Sequence, residues 1–181
     1  MKVTKTQLEG CIILEPEIYK DSRGIFFESY QKSKLDAYVG KPVDFVQDNI
    51  SISKKGVLRG LHYQTGAHAQ AKLVQVIEGE ILDVVVDLRV QSRTYGQHLA
   101  LKLSSKNKTL VFIPKGMAHG FLALSKNVIF SYKCDAYYHK ESERGIIYND
   151  PELNINWGKD TINPILSKKD LELPLWKDLK T

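Results

Sequence analysis

Short apolar runs separated by turn residues recur along most of the chain, and this spacing constrains the fold more than any other feature. About nine such runs follow one another at intervals of roughly 8–12 residues, which is typical of antiparallel strands. The most distinct of them cover residues 26–30, 45–53, 71–80, 81–90, 99–104, 109–114, 121–125 and 128–138. With few helical segments between them, these runs predict an all-β protein of the jelly-roll type.

Two segments are predicted to be helical. Residues 31–40 read QKSKLDAYVG and end on Gly40, a residue type that commonly stops a helix. Ser167 begins the string SKKDLEL, which predicts a short helical turn. The length of 181 residues fits one domain. We therefore expect residues 1–181 to form a single unit, with a jelly-roll core at about 23–150 and a helical C-terminal extension.

Composition and charge argue against several function classes. No apolar run approaches the roughly 20 residues that span a bilayer, so no membrane association is expected. The apolar patch near the N-terminus is shorter than the core of a signal peptide, which indicates a cytoplasmic protein. The formal charge of +5 comes from dispersed lysines, so nucleic acid is not an expected partner, although a substrate carrying phosphate would suit it. No dinucleotide-binding or P-loop motif is present.

The period of two along a strand places several polar side chains among apolar ones. Lys72 shares a strand face with Val74, and Tyr132 shares one with Phe130, so both point toward the interior. An inward lysine is costly unless it meets a partner or a ligand. Taken alone, Lys72 is explained as a side chain that snorkels at a barrel mouth, and Tyr132 as a core aromatic. Because several such positions coincide, a site is the favoured interpretation.

Two further strands carry alternating patterns. In residues 81–90, apolar side chains alternate with Asp83, Asp87 and Arg89, which predicts a half-buried strand with its polar face outward. In residues 45–53, Gln47 and Asn49 lie on the face opposite the isoleucines. These two amides belong either to an exposed strand face or to the same site as Lys72.

Arg59, His62, His68 and Lys72 lie within fourteen residues, an arrangement open to a metal site, an anion site, an acid–base site or a polar turn. The string IPKGMAHGF has the form P-x-G-x-x-H and resembles the second motif of the cupin superfamily. The first cupin motif needs H-x-H, whereas this chain has His62 followed by Tyr and Gln. Without a converging ligand set we expect no metal, although His68 and His119 are the histidines that could be recruited.

Several long strings together resemble the dTDP-4-dehydrorhamnose 3,5-epimerase family. They are QDNISISKKGVLRGLHYQ, QAKLVQVIEGEILDVVVDLRVQSRTYG, FIPKGMAHGFLALS and NDPELNINW, in that order along nearly the full chain. The resemblance implies a metal-free, cupin-like jelly-roll barrel with a few short helices that forms a homodimer. It also implies a dTDP-linked 4-keto-6-deoxyhexose as substrate, inversion at two stereocentres in dTDP-L-rhamnose biosynthesis, and no cofactor.

The resemblance assigns a role to each catalytic candidate. His62 matches the base, a role suited to a side chain that titrates near neutral pH. Tyr132 matches the acid that returns a proton from the other face, and Lys72 matches the group that stabilises the enolate oxygen. Asp170 matches the carboxylate that orients His62. The alternative for Asp170 is a helix cap with Ser167, and the two roles are not assumed together.

Further positions match family contacts with the nucleotide-sugar. They are Arg23, Glu28, Gln47, Asn49, Arg59, His119, Glu143 and Lys168. Arg23 and Arg59 match phosphate contacts, which the bidentate guanidinium suits, although a turn arginine and a strand-end charge are the ordinary explanations. His119 could equally be a structural histidine, and His68 is interpreted as a loop residue.

Four other functions remain to be weighed against a double epimerase. A single-centre epimerase of a related dTDP-sugar would keep the same His62 and Tyr132 pair. A relative that moves the keto group fits the combined motifs less well. A non-catalytic sugar-binding cupin would have no use for a base, an opposite-face acid and an inward lysine. A metal-dependent cupin oxygenase would need the ligand set that the first motif lacks.

Overall fold

The computed structural model describes residues 1–158 and 163–179, and strands dominate it. The strands are β1 (Lys2–Lys5), β2 (Ile12–Glu15), β3 (Tyr19–Asp21), β4 (Gly24–Phe26), β5 (Gln47–Lys54), β6 (Leu58–Gln64), β7 (Lys72–Glu78), β8 (Glu80–Asp87), β9 (His98–Ser104), β10 (Leu110–Ile113), β11 (Met117–Ala123), β12 (Asn127–Cys134) and β13 (Glu143–Gly145). The helices are α1 (Lys32–Val39) and α2 (Lys168–Leu171), with short 3-10 turns at Gly66–His68, Lys140–Ser142 and Trp176–Asp178.

Two antiparallel sheets form the jelly roll. The first has the strand order β1-β2-β10-β7-β12-β5, and the second has the order β13-β6-β11-β8-β9. A separate hairpin pairs β3 with β4. The all-β, jelly-roll prediction is confirmed. No helix among residues 1–158 and 163–179 has the length and apolar character that crossing a membrane requires.

Buried side chains fill the space between the two sheets and also cover the outside of the second one. The inner cluster joins Val74 and Phe130 of the first sheet to Val85 and Phe121 of the second. A second cluster packs the other face of β8 and β11 against the C-terminal segment, which contributes Trp157. Strands β8 and β11 are therefore buried on both faces, as strands between two covering layers must be.

Burial on both faces makes the half-buried prediction for residues 81–90 wrong. Asp83 and Asp87 are both 0% exposed and lie in the interior. Asp87 is held by hydrogen bonds from Arg89, Ser92 and Thr94. Apolar and polar side chains do alternate along β8, but the face that carries Asp83 and Asp87 packs against other residues and not against water.

The predicted helix is present, whereas the first predicted strand is not. The helix predicted over 31–40 is α1, and Gly40 ends it with a left-handed φ of 78°. The strand predicted over 26–30 is wrong, because β4 ends at Phe26, and its partner β3 has only three residues with which to pair.

Strand β6 was not predicted from the sequence, because Gly60 interrupts its apolar pattern. Gly60 has a φ of 112°, and a Cβ there would lie 2.7 Å from both the Gly120 Cα and the His119 carbonyl oxygen. A glycine is therefore required where β6 approaches β11. This close approach brings His62 opposite His119 in the strand register.

Candidate active site

A cavity of about 290 Å³ opens between the two sheets. It is lined by Gln47, Asn49, His62, Tyr63, Gln64, Gln70, Lys72, Tyr132, Cys134, Tyr138 and Glu143. Of the predicted site residues on strands β5, β6, β7 and β12, the cavity brings together all but Arg59. A larger open groove of about 1070 Å³ runs between the N-terminal segment and the end of α1, but its lining contains no predicted site residue.

The strand register explains why these side chains meet. Tyr132 pairs with Asn49 on one side, and Cys134 pairs with Gln47 on one side and Lys72 on the other. Because residues two apart share a face, these five side chains form one polar patch on the inner surface of three neighbouring strands. The parity argument for an inward Lys72 and an inward Tyr132 agrees with this placement, and it extends to Gln47 and Asn49.

Lys72 is the cation of the pocket. Its Nζ lies 5.9 Å from the centroid of the Tyr132 ring. Burial lowers the pKa of Lys72, while the neighbouring Cys134, Glu143 and Asp83 oppose that shift. A partly desolvated ammonium exerts a strong field on a nearby oxygen, because little water screens it.

Tyr132 is the phenol of the pocket. Burial raises the pKa of Tyr132 above its usual value, and Arg59 acts in the opposite direction. The hydroxyl is therefore protonated at neutral pH and able to donate. Its ring packs 5.8 Å from that of Phe130, which fixes the phenol between the sheets.

His62 is held from behind by a carboxylate. Its Nε2 lies 2.6 Å from Asp170 Oδ1, and the His62 side chain remains 28% exposed. Burial raises the pKa of Asp170, but hydrogen bonds from His62 and Ser167 outweigh it and lower the pKa overall. Asp170 is thus an ionised acceptor that fixes the imidazole with Nδ1 left for another contact.

Asp170 both holds His62 and takes part in the cap of α2, although the sequence pattern favoured these two roles as alternatives. The Ser167 hydroxyl accepts a hydrogen bond from the Asp170 backbone N–H at 3.1 Å and donates one to Asp170 Oδ2 at 2.8 Å. This is a cap at the start of α2 in which the third residue is an aspartate. Because Oδ2 is used by the cap, Oδ1 is free to hold His62.

Glu143 joins the pocket to α2 and to an aromatic side chain that was not predicted. The Tyr138 hydroxyl donates to Glu143 Oε2 at 2.7 Å, and Lys169 forms an ion pair with the same carboxylate. Lys168, the predicted contact, lies exposed at the first position of α2. The neighbouring lysine is therefore the one that faces the pocket rim.

Other predicted contact residues lie outside the cavity. The Arg23 side chain is 89% exposed and forms an ion pair at 2.6 Å with Asp21, which belongs to the same β3–β4 hairpin. Glu28 pairs with Lys34 at 2.7 Å. Arg59 is exposed, and its Nε donates to Ser53 at 3.2 Å.

His119 and His68 have separate surroundings. His119 is buried, and its Nε2 lies 2.7 Å from Asp83 Oδ1. His68 lies in a surface turn and stacks on His139 with ring centroids 3.8 Å apart.

Sequence reasoning missed several lining residues that parity could have found. Gln64 is two residues from His62, and Cys134 is two from Tyr132, so each shares a face with a predicted catalytic residue. Gln64 Oε1 accepts from the His139 backbone N–H at 3.0 Å, which fastens the following loop. Tyr138 carried no such signal, because it lies in that loop beyond the end of β12.

The chemistry available in the pocket is that of proton transfer next to a stabilised anion. It offers an imidazole backed by an ionised carboxylate, a protonated phenol and a buried ammonium. Within the described ranges, no three His, Cys, Asp or Glu side chains form a group that could hold a metal ion.

Comparison with known proteins identifies a family. The model of the dTDP-4-dehydrorhamnose 3,5-epimerase family matches residues 5–178. The dTDP-4-dehydrorhamnose 3,5-epimerase of Methanothermobacter thermautotrophicus is 49% identical over 177 residues, which cover 97% of this chain and 93% of that protein.

Solved structures give the same result. The crystal structure of dTDP-4-dehydrorhamnose 3,5-epimerase from Elizabethkingia anophelis is 49% identical and has a TM-score of 0.95, covering 98% of this chain and 97% of that one. The dTDP-6-deoxy-D-glucose-3,5-epimerase of Legionella pneumophila, solved in complex with dTDP-4-keto-L-rhamnose, is 47% identical with a TM-score of 0.93. That match covers 99% of this chain and 94% of the other.

Proposed function

The chain belongs to the dTDP-4-dehydrorhamnose 3,5-epimerase family, and from this premise we propose that it inverts C3 and C5 of dTDP-4-dehydro-6-deoxy-D-glucose. The product is dTDP-4-dehydro-L-rhamnose. Both carbons flank the C4 ketone, so removing a proton from either one gives an enolate. Such a reaction needs a base, an acid on the opposite face and positive charge near the ketone oxygen.

The observation that carries the proposal is the position of the base and the acid on opposite sheets. His62 belongs to β6 of the second sheet, whereas Tyr132 belongs to β12 of the first. Both line the same cavity. A sugar ring held between the sheets would therefore present one face to His62 and the other to Tyr132, which is the geometry that inversion requires.

The proposed steps use these groups in sequence. His62 removes the proton from the carbon next to the ketone, and the Asp170 carboxylate stabilises the resulting imidazolium. Lys72 holds the negative charge that develops on the C4 oxygen. Tyr132 then delivers a proton to the carbon from the other face, and the ketone is restored with the opposite configuration.

A homodimer is part of the proposal, because the single chain leaves an apolar surface uncovered. Ile50 and Ile52 on β5 are 70% and 73% exposed, and Ile77 on β7 is 51% exposed. Strand β5 is also an edge of the first sheet. Soluble monomers rarely expose such contiguous apolar side chains, and an unpaired edge strand invites association.

The β3–β4 hairpin fits the same proposal. Phe26 at its end is 68% exposed, and Arg23 at its turn lies outside the cavity of its own chain. We infer that the hairpin reaches the partner subunit, so that Arg23 and Glu28 serve the neighbouring pocket. This arrangement would reconcile their predicted ligand contacts with their exposed positions.

Turnover is tested with a coupled assay. The purified protein is incubated with dTDP-4-dehydro-6-deoxy-D-glucose, NADPH and the reductase that accepts dTDP-4-dehydro-L-rhamnose. The proposal predicts NADPH oxidation that requires both proteins and rises with the amount of this one. A sugar-binding cupin without turnover would leave NADPH unchanged.

A further inference from the structure

Asp83 is a buried carboxylate next to the pocket that neither packing nor the proposed steps account for. It lies on β8 and is 0% exposed. Its Oδ1 accepts a hydrogen bond from His119 Nε2 at 2.7 Å. Its Oδ2 is buried and has no hydrogen-bond partner within residues 1–158 and 163–179. A buried carboxylate oxygen without a partner carries a large desolvation cost.

Asp87 on the same strand is a buried carboxylate whose hydrogen bonds are all accounted for by its structural role, and it serves as a comparison for Asp83. It is also 0% exposed, but Arg89, Ser92 and Thr94 occupy both of its oxygens. Residues 83 and 87 share one face of β8, so the two carboxylates differ in their partners and not in their depth. For stability alone, an apolar side chain at position 83 would be the cheaper solution.

The group that Asp83 contacts directly is His119, which lies beside the proposed base on the neighbouring strand. His119 on β11 is opposite His62 on β6 in the strand register. Its ring lies 5.9 Å from that of Phe130, which in turn packs against Tyr132. With Nε2 held by Asp83, the ring is fixed in position, and Nδ1 is left for another contact.

The charge of Asp83 also acts on Lys72. Three ionisable groups act on this ammonium: Cys134 from β12, Glu143 from β13 and Asp83 from β8. Each of them opposes the loss of the Lys72 proton that burial favours. Of the three, Asp83 is the fully buried carboxylate, whereas Glu143 is partly exposed and shared with Lys169 and Tyr138.

We propose that Asp83 is a positioning residue for the epimerase site, which holds His119 through Nε2 and places a buried negative charge next to the pocket. The inference deepens the proposed function and rests on it. Asp83 acts through His119 and Lys72, and it does not line the cavity itself.

The test compares Asp83→Asn with Asp87→Asn in full pH profiles of kcat and KM. The amide keeps the shape of Asp83 and can still accept from His119, but it removes the charge. Without that charge Lys72 loses its proton more readily, so the basic limb of the kcat profile should move to lower pH by about one unit. At neutral pH kcat should fall about 10- to 100-fold, with KM changed less than about threefold.

Asp87→Asn is the matched control. It removes a carboxylate from the same strand face, so it should lower stability but leave the position of the basic limb unchanged. If Asp83→Asn does not fold, Asp83→Leu, which avoids a new buried polar group at position 83, should fold and show the same shift. A wild-type pH profile and kcat in a folded Asp83 variant would overturn the inference. An inactive wild-type protein would instead overturn the proposed function.

Discussion

His62 and Asp170 are separated by 108 residues in the chain, yet the histidine Nε2 and the carboxylate Oδ1 lie 2.6 Å apart. The histidine is on an inner strand, and the carboxylate is in the first turn of α2, which contacts β6. The proposed base is therefore assembled only when the C-terminal segment docks on the second sheet. The position of that segment therefore determines whether the His62–Asp170 pair is formed.

Replacing His62 should remove proton abstraction at both carbons. We expect His62→Ala to lower kcat by about 10²- to 10⁴-fold, the contribution of a positioned general base. His68→Ala is the matched control, because His68 lies in a surface turn and stacks on His139. Solvent exchange of the C3 and C5 protons, followed by NMR, measures the effect. Full exchange in His62→Ala would mean that another group is the base.

Replacing Tyr132 should separate proton removal from inversion. In Tyr132→Phe the His62–Asp170 pair is intact, so the enolate still forms, but the opposite face has no phenol to return a proton. We expect solvent deuterium to enter the substrate while inversion slows by at least about 100-fold. The measurement is the ratio of deuterium incorporation to product formation. An unchanged ratio would show that Tyr132 is not the acid.

Replacing an exposed isoleucine should weaken the proposed dimer. Ile52 is 73% exposed on the edge strand, and a lysine there would place a charge in the contact between chains. We expect Ile52→Lys to shift the protein toward monomer in sedimentation equilibrium. Val90→Lys is the control, since Val90 is 58% exposed in the loop after β8. Identical masses for Ile52→Lys and the parent would place the interface elsewhere.

Mixed dimers test whether Arg23 serves the partner's pocket. Chains carrying Arg23→Ala and chains carrying His62→Ala are each expected to be impaired as homodimers. In a mixed dimer, one pocket would combine an intact His62 with the Arg23 of the other chain. About a quarter of parental activity should therefore return after random reassortment. No recovery would show that Arg23 acts within its own chain.

Asp87 should make stability depend on acid pH. Burial raises its pKa, but hydrogen bonds from Arg89, Ser92 and Thr94 lower it to about 2, from an ordinary value of 3.8. A lowered pKa stabilises the fold above about pH 4, and this contribution is lost as pH falls toward 2.

The corresponding variant is Asp87→Asn. It should be roughly 2 kcal/mol less stable than the parent at pH 7, and the difference should narrow between pH 4 and pH 2. Urea unfolding at a series of pH values measures it, with the exposed Asp44→Asn as control. A difference that does not depend on pH would contradict the role of Asp87.

Strand periodicity explains which parts of the site could be foreseen. Alternation is a local property, so it predicted that Lys72 and Tyr132 point inward, whereas it left open whether the face shared by Gln47 and Asn49 is exposed or lines the site. The pairing of His62 with Asp170 came only from the family resemblance, because no local pattern links positions so far apart.

Other features depend on contacts that local patterns do not report. Asp83 was expected to face water because the apolar face of β8 was assigned to the core. The C-terminal segment covers that apolar face, so the face that carries Asp83 points into the space between the two sheets. The strand predicted beyond Phe26 had the right composition but no neighbour with which to pair. Strand β6 was missed because Gly60 interrupts its apolar pattern, although the same glycine allows the close approach of β6 and β11.

Deuterium exchange at C3 and C5 reports directly on inversion of two carbons through an enolate. The purified protein is incubated with dTDP-4-dehydro-6-deoxy-D-glucose in D2O, without added metal, while NMR follows the C3 and C5 protons. We predict loss of both signals, together with a product that the partner reductase converts to dTDP-L-rhamnose. Loss of one signal alone would show a single-centre epimerase, and retention of both would show that the protein removes a proton from neither carbon of this substrate.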